Sequence, residues 1–148
     1  MRVQRQQVLA SRSGAAVVEA ALVLPIFFMV VLGIIEFGRG MMVGQMVTNA
    51  SRQAARDSIV DGSTNATVTA GVKQLLQDTL GVNQNDVSVT ITVDAGVGNP
   101  DPNDDLSKAL PKDLCRVAVS VPYNKVGYIA GRFLQSANIR GACAMRHE

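Results

Sequence analysis

The longest apolar stretch of the chain lies close to its start. From Ala15 to Ile35 there are about 21 residues, and Glu19 is the only charged residue among them. At the helical rise of about 1.5 Å per residue, such a stretch crosses the roughly 30 Å hydrocarbon core of a bilayer. There are two alternatives, a cleaved signal peptide and a core helix of a soluble protein. A signal peptide would have a shorter apolar region, of about 7–15 residues. We therefore predict a membrane-spanning helix, with a bend at Pro25.

Beyond this span, apolar residues continue at the spacing of one helical face. The predicted face comprises Phe37, Met41, Val43, Val47, Ala50, Ala54 and Ile59. The helix is expected to run on unbroken to about Val60 and to end at the glycine-containing Asp61-Gly62-Ser63. A second, amphipathic helix is predicted from Thr67 to Leu80, and Gly81 is placed to cap it. Its predicted apolar face comprises Val68, Val72, Leu75, Leu76 and Leu80.

Alternation of apolar and polar residues predicts three strands in the second half of the chain. The predicted strands are Asp86–Asp94, Leu114–Val121 and Asn138–Met145, and Tyr123–Leu134 is interpreted as a loop with a helical turn. The fold class is therefore α+β, with a long helix packed on a small antiparallel sheet.

Charge is distributed unevenly along the chain. The first fourteen residues carry Arg2, Arg5 and Arg12 and no acidic residue, whereas only Arg39 follows closely behind the span. Because basic residues stay on the cytoplasmic side, the N-terminus is expected in the cytoplasm and the rest of the chain outside it. Since the net charge of the whole chain is +2, the remainder has no basic excess, which argues against nucleic-acid binding.

Two residues, Cys115 and Cys143, are the only cysteines. If their strands pair and the Cα atoms come within about 7 Å, they are a candidate disulfide in an oxidising compartment. The alternative is that both are small buried apolar side chains.

A polar segment, Ala95 to Asp113, separates the first two predicted strands. Its oxygen-bearing side chains, which suit calcium in principle, are Asp101, Asn103, Asp104 and Asp105. However, Leu106 stands where an EF-type loop needs glycine, and Lys112 stands where it needs a closing glutamate. We therefore predict a solvated hairpin loop and no metal site. The sequence also contains no recognised catalytic or cofactor-binding motif, so neither an enzyme nor a cofactor is expected.

Glu19 is the most unusual residue of the apolar stretch. A charge inside a bilayer-spanning helix costs about 2.5–3.5 kcal/mol on insertion scales, so a functional role is the default interpretation. Two alternatives are a side chain that snorkels to the membrane surface and a carboxylate in a proton relay. The spacing of five residues between Gly14 and Glu19 favours a third interpretation, which rests on a resemblance.

A basic leader that ends in glycine, followed by an apolar helix with glutamate at its fifth position, resembles a type IV prepilin signal. Arg12-Ser13-Gly14-Ala15-Ala16-Val17-Val18-Glu19-Ala20-Ala21-Leu22-Val23-Leu24-Pro25 and Gly33-Ile34-Ile35-Glu36-Phe37-Gly38-Arg39 are similar to the start of TadE-like pseudopilins. These are minor components of the bacterial tight-adherence (Tad, Flp-type) pilus system. Ala50-Ser51-Arg52-Gln53-Ala54-Ala55-Arg56 is similar to the next helical segment of that family, and the tail from Ser136 to Glu148 resembles its closing strand.

The resemblance implies a pilin-like architecture and a processing step. A prepilin peptidase would cut between Gly14 and Ala15, and Glu19 would pair with the new α-amino group of Ala15 on a neighbouring subunit. The implied organisation is a leader (1–14), a transmembrane helix (15–36) and an exported α+β domain (37–148). One departure is that Ala20 follows the glutamate, where many relatives have an aromatic residue.

The function that the resemblance implies is that of a minor pilin or pseudopilin in Tad pilus assembly and surface adhesion. Its expected partners are the inner membrane, the prepilin peptidase, other pilin or pseudopilin subunits and Tad assembly proteins. The expected location is the bacterial inner membrane, with the C-terminal domain in the periplasm or carried into a pilus. The alternative is a non-polymerising single-pass membrane protein whose exported domain binds a partner.

Overall fold

The computed structural model describes residues 3–126 and 137–147, with side chains from Gly14 onward. The chain divides into two compact units, Met1–Gly38 and Arg39–Glu148. Helix α1 is Val3–Ser58 and helix α2 is Asn65–Leu80. Strand β1 is Ser88–Asp94, β2 is Leu114–Pro122 and β3 is Asn138–Arg146. The predicted α+β class, with a long apolar helix and a small antiparallel sheet, is confirmed.

Helix α1 continues without a break through Pro25 and past the apolar stretch. Proline has no amide hydrogen, so the carbonyl of Ala21 loses its helical hydrogen bond at that point. The helix ends at Ser58, close to the predicted end, and the turn that follows uses Gly62 at a φ of +83°. Glycine suits this position because a left-handed backbone has no steric cost without a Cβ atom.

Helix α2 begins earlier than its apolar pattern predicts, because its N-terminal cap is Thr64. The Thr64 hydroxyl accepts a hydrogen bond from the Thr67 amide, and the Thr67 hydroxyl accepts one from the Thr64 amide. These two bonds satisfy amides that the first helical turn would otherwise leave unpaired. At the other end Gly81 adopts φ +69° and its amide donates to the carbonyl of Gln77, so the predicted cap is confirmed.

The three strands form one antiparallel sheet in the order β1-β2-β3. In the register, Val117 of β2 lies between Ile91 of β1 and Cys143 of β3. Alternate residues of β2 are buried, which is the pattern expected when one face of a sheet covers a core. The buried residues of β2 are Cys115, Val117, Val119 and Val121. The predicted Tyr123–Leu134 loop begins with a short 3₁₀ turn, Tyr123–Lys125, and its later part lies outside the described residues.

The part of α1 that follows the apolar stretch supplies the helical side of this core. Its buried residues are Val43, Val47, Ala50, Ala54 and Ala55. The prediction was wrong for Phe37 and Met41, whose exposed fractions are 68% and 57%. At 100° per residue, Met41 lies about 200° around the helix from Val43, so it points away from the buried face. Leu75 of α2, predicted to share the apolar face with Leu76, is 42% exposed, because it lies at the edge of the buried face, about 60° around the helix from Val72.

Helix α1 and strand β3 approach each other closely at Gly141. A Cβ atom on Gly141 would lie 2.8 Å from both the Cα atom of Thr48 and the carbonyl oxygen of Val47. The helix also presents small residues here: a Cβ on Gly44 would lie 3.9 Å from Ile139. Only a glycine in β3 allows the two backbones this separation.

The long loop between β1 and β2 is organised by the carboxylate of Asp113, which is fully buried. Its Oδ1 accepts from the Gly96 amide and the Asn99 side-chain amide, both at 2.7 Å, and its Oδ2 accepts from the Leu110 amide at 2.8 Å. Burial alone would raise the pKa of Asp113, but these hydrogen bonds and nearby His147 outweigh it, so the pKa lies below its usual value.

The carboxylates of this loop that suit calcium in principle make hydrogen bonds within the loop and to strand β1. Asp101 accepts from the Asn103 amide, Asp105 accepts from the Ser107 amide, and Asp104 accepts from the Val93 amide at 2.9 Å. Side chains that hold a turn in this way are typical of a structured hairpin loop.

The candidate disulfide between Cys115 and Cys143 is not formed, because both cysteines are free thiols. The register explains this: Cys115 pairs with Met145, and Cys143 pairs with Val117. The two cysteines lie on the same face of neighbouring strands but are diagonal rather than opposite. Diagonal neighbours are separated by about 7–8 Å, which is too far for a disulfide without movement of the backbone. The core therefore contains two thiols instead of a covalent bridge.

Candidate functional site

The three residues singled out near the start of the chain, Gly14, Ala15 and Glu19, all lie on helix α1. All three are exposed. Ala15 and Glu19 are four residues apart, so they lie on one helical face with a separation of about 6 Å along the axis. Gly14 lies about 140° around the helix from Glu19. The helix thus places the carboxylate one turn away from the Ala15 nitrogen.

Glu19 is surrounded by exposed apolar side chains on every side of the helix. Val18, Leu22 and Val23 next to it have exposed fractions of 62%, 69% and 56%. A helix that is apolar all round needs an apolar environment, either a membrane or other helices. Within Gly14–Ser58, an 18-residue window reaches a mean hydropathy of 2.6. By length and composition, this helix can cross a membrane.

This environment determines what Glu19 can do chemically. A carboxylate held among apolar groups is costly unless a cation or hydrogen-bond donors compensate it. The neighbouring residues on its own face, Ala15, Ala16 and Val23, offer no charged side chain. The arrangement therefore suits a contact between Glu19 and a cationic group. That group must come from outside this helical face or from a new chain terminus.

Gly14 is open to approach from outside the helix. Beyond its chain neighbours and the backbone of its own helix, a Cβ atom built on Gly14 would have no atom within 4 Å, so no packing within the described chain requires glycine there. The bare backbone instead leaves room for a second protein to approach the bond between Gly14 and Ala15 closely.

One polar residue of this region was not predicted to have a special environment. Glu36 is only 6% exposed, and it is the one buried residue among the described side chains of residues 14–38. Its position directly after the apolar stretch was visible in the sequence. Its burial was not, since the alternative, a charged residue at the membrane surface, has the same sequence pattern.

A comparison with protein-family models matches residues 14–56 to the family described as TadE-like protein. The matched segment begins at Gly14 and includes Glu19, Glu36 and most of α1. The resemblance inferred from the sequence is thus confirmed over these residues, and it supports a protein associated with a Tad pilus system. Comparisons with curated proteins and with solved structures gave no significant match.

Proposed function

We propose that this chain is a minor pilin or pseudopilin of a Tad pilus, with a structural role and no enzymatic one. In this proposal α1 first holds the chain in the inner membrane, with its N-terminus in the cytoplasm and the sheet-containing unit in the periplasm. A prepilin peptidase then removes residues 1–14, and the mature chain joins other pilin subunits by helix packing. Through this assembly step it contributes to surface adhesion.

The observation that carries the proposal is the uniformly apolar surface of α1 around Glu19. Side chains such as Val17, Leu22 and Ile26 are more than 60% exposed, so this surface needs lipid or other helices around it. Cleavage after Gly14 would place a new ammonium group one turn from Glu19. The same pair of charges, made between neighbouring subunits, would neutralise both in an apolar filament interior.

The cleavage step is tested with two glycine variants in cells that contain a prepilin peptidase. Gly14→Leu should block cleavage, because its side chain occupies the space that the peptidase needs. Gly33→Leu is the matched control: a Cβ on Gly33 likewise has no neighbour within 4 Å, and both changes add the same apolar side chain to α1. If Gly14→Leu were cut as completely as Gly33→Leu, the proposed cleavage site would be wrong.

The role of Glu19 is tested separately from cleavage. Glu19→Gln keeps the shape of the side chain and removes its charge, so it should be cut normally and reduce the number of pili. Val23→Gln, which adds an amide on the same exposed face one turn later, controls for the effect of a polar group alone. Normal piliation with Glu19→Gln would contradict the pairing role. An uncut but membrane-bound wild-type chain would instead favour the non-polymerising alternative.

A further inference from the structure

Strand β3 is an edge strand, and no described residue pairs with its outer side. His147 donates its backbone amide to Asp113, and Tyr123 donates its amide to Ala137, so odd-numbered residues make the bonds between β2 and β3. The even-numbered residues of β3 therefore point their backbone N–H and C=O groups away from β2. These residues are Asn138, Arg140, Ala142, Ala144 and Arg146, and within the described residues none of these outward-facing groups has a hydrogen-bond partner.

The opposite edge of the sheet is different, because the chain covers one end of it. The outward-facing amide of Val93 in β1 donates to the side chain of Asp104 at 2.9 Å. The loop that carries Asp104 thus covers the end of β1. Natural sheets commonly protect an edge in this way, and an edge without such protection can bind another strand. Among the described residues β3 has the longer open edge, because its outward groups run from Asn138 to Arg146 and none of them is covered.

A groove of about 450 Å³ runs beside the open edge, between β3 and helix α1. Its lining includes Gly44, Gln45, Thr48, Asn49, Arg52 and Arg140. A strand added to β3 would place every second side chain on the helix side of the sheet, and the small residues of α1 leave room for them there. The outward backbone groups and the groove thus form one continuous surface, which we call the β3 edge.

The charge of the β3 edge is positive. Arg52 and Arg140 line the groove, Arg146 lies at the far end of β3, and no acidic side chain lines the groove. None of these three arginines has an ion pair or hydrogen bond with another described residue. The guanidinium groups are therefore available to carboxylates of an incoming segment.

A second copy of the chain fits this surface poorly. Antiparallel pairing of two β3 strands about Ala142 would place Arg140 opposite Ala144 and Arg146 opposite Asn138, so each copy would add two arginines and no carboxylate to an edge that is already positive. The β1 strand of another copy is blocked at Val93, and its Asp94 already pairs with Arg116 at 3.6 Å. The charges instead match a segment that is extended and acidic.

We propose that the β3 edge binds an extended, acidic segment of a different protein, which adds to the sheet as a fourth strand. Backbone hydrogen bonds to Ala142 and Ala144 would hold the segment, and Arg52 and Arg140 would select its carboxylates. This proposal does not depend on cleavage after Gly14 or on pilus formation.

The test uses the full chain in a non-ionic detergent and two fluorescein-labelled ten-residue peptides. One peptide alternates valine and glutamate, and the other alternates valine and lysine. Fluorescence anisotropy should show that the acidic peptide binds at least about tenfold more tightly. Equal affinity of the two peptides, or no binding of either, would overturn the proposal.

Variants separate the contribution of charge from that of the backbone. The double variant Arg52→Glu and Arg140→Glu should weaken binding of the acidic peptide by about tenfold or more. Arg56→Glu, on the same helix but outside the groove, should leave it nearly unchanged. Ala144→Pro should abolish binding, because proline removes an outward-facing amide without removing a bond between β2 and β3. Equal loss with Arg56→Glu would contradict a specific site.

Amide hydrogen exchange of the wild-type chain tests the geometry without any substitution. In the free chain, amides of Gly141 and Cys143 should be protected, whereas those of Ala142 and Ala144 should exchange rapidly. The acidic peptide should slow exchange at Ala142 and Ala144. Unchanged exchange there would overturn strand addition, and self-association that Ala144→Pro abolishes would assign the β3 edge to a second copy.

Discussion

Replacement of Gly141 by alanine should destabilise the sheet-containing unit. The added methyl group would lie 2.8 Å from the Thr48 Cα atom and the Val47 carbonyl oxygen, and 2.9 Å from the Thr48 nitrogen. All three are backbone atoms, which cannot rotate away as the end of a long side chain can. Ordinary contacts of a methyl carbon begin near 3.4 Å, so helix α1 and strand β3 must separate by about half an ångström.

The expected cost follows from this overlap. Overpacking of a well-packed site costs about 1–3 kcal/mol. With a urea dependence of roughly 2 kcal/mol per molar for a unit of this size, the unfolding midpoint should fall by about 0.5–1.5 M. The midpoint can be measured by pulse alkylation of Cys115, a core thiol that is 0% exposed and reacts when the unit unfolds.

A second glycine provides a control with the opposite sign. Gly71 lies inside α2, and a Cβ there would have no neighbour within 4 Å. Because alanine favours a helix by about 0.5–1 kcal/mol over glycine, Gly71→Ala should raise the midpoint by up to about 0.5 M. An unchanged or raised midpoint for Gly141→Ala would refute the close approach of β3 to α1.

Two further predictions concern the buried polar groups. Asp113→Asn should destabilise the unit by about 1–3 kcal/mol, since an amide cannot accept all three hydrogen bonds. The pKa of Asp113 lies below its usual value of 3.8. Its stabilising effect should therefore be complete above about pH 4 and lost as the pH falls through the folded-state pKa. Urea midpoints measured between about pH 2.5 and 7 should show this loss for the wild type and much less of it for the variant. Alkylation of the denatured, unreduced chain should modify both Cys115 and Cys143, as mass spectrometry can measure, and an unmodified pair would show a disulfide. In the folded chain Cys115 should react slowly, because burial and then Asp113 raise its pKa.

Local patterns were sufficient to predict most of the secondary structure. The alternation of Val87, Val89, Ile91 and Val93 with polar residues is visible in the local sequence and predicts β1. The cap at Gly81 is likewise visible next to the residues of α2. The inward residues of β1 and β2 were therefore predicted correctly. The end of α1 was also predicted to within a few residues, because a glycine-containing turn follows it.

Features that depend on how elements meet were not predictable in the same way. Phe37 and Met41 fit a loose helical spacing, and only the position of the sheet determines which side of α1 is buried. The cysteines lie in paired strands as expected, but a bond depends on register, which places Cys115 opposite Met145. Gly141 gave no signal by itself, because nothing in its neighbourhood along the chain indicates that Thr48 lies against it.

The candidate site was predictable to a greater extent than the core. Gly14, Ala15 and Glu19 form a local pattern within one helix, and a helix fixes their relative positions without any tertiary contact. The burial of Glu36 and the unpaired outer side of β3 among the described residues, in contrast, have no signal in the local sequence.

The proposed function depends first on cleavage between Gly14 and Ala15. The most direct test is the intact mass of the full chain, purified from cells with and without a prepilin peptidase. The peptidase should remove the mass of residues 1–14 and leave Ala15 as the new first residue. A chain that keeps its full mass in the presence of an active peptidase would rule out this cleavage.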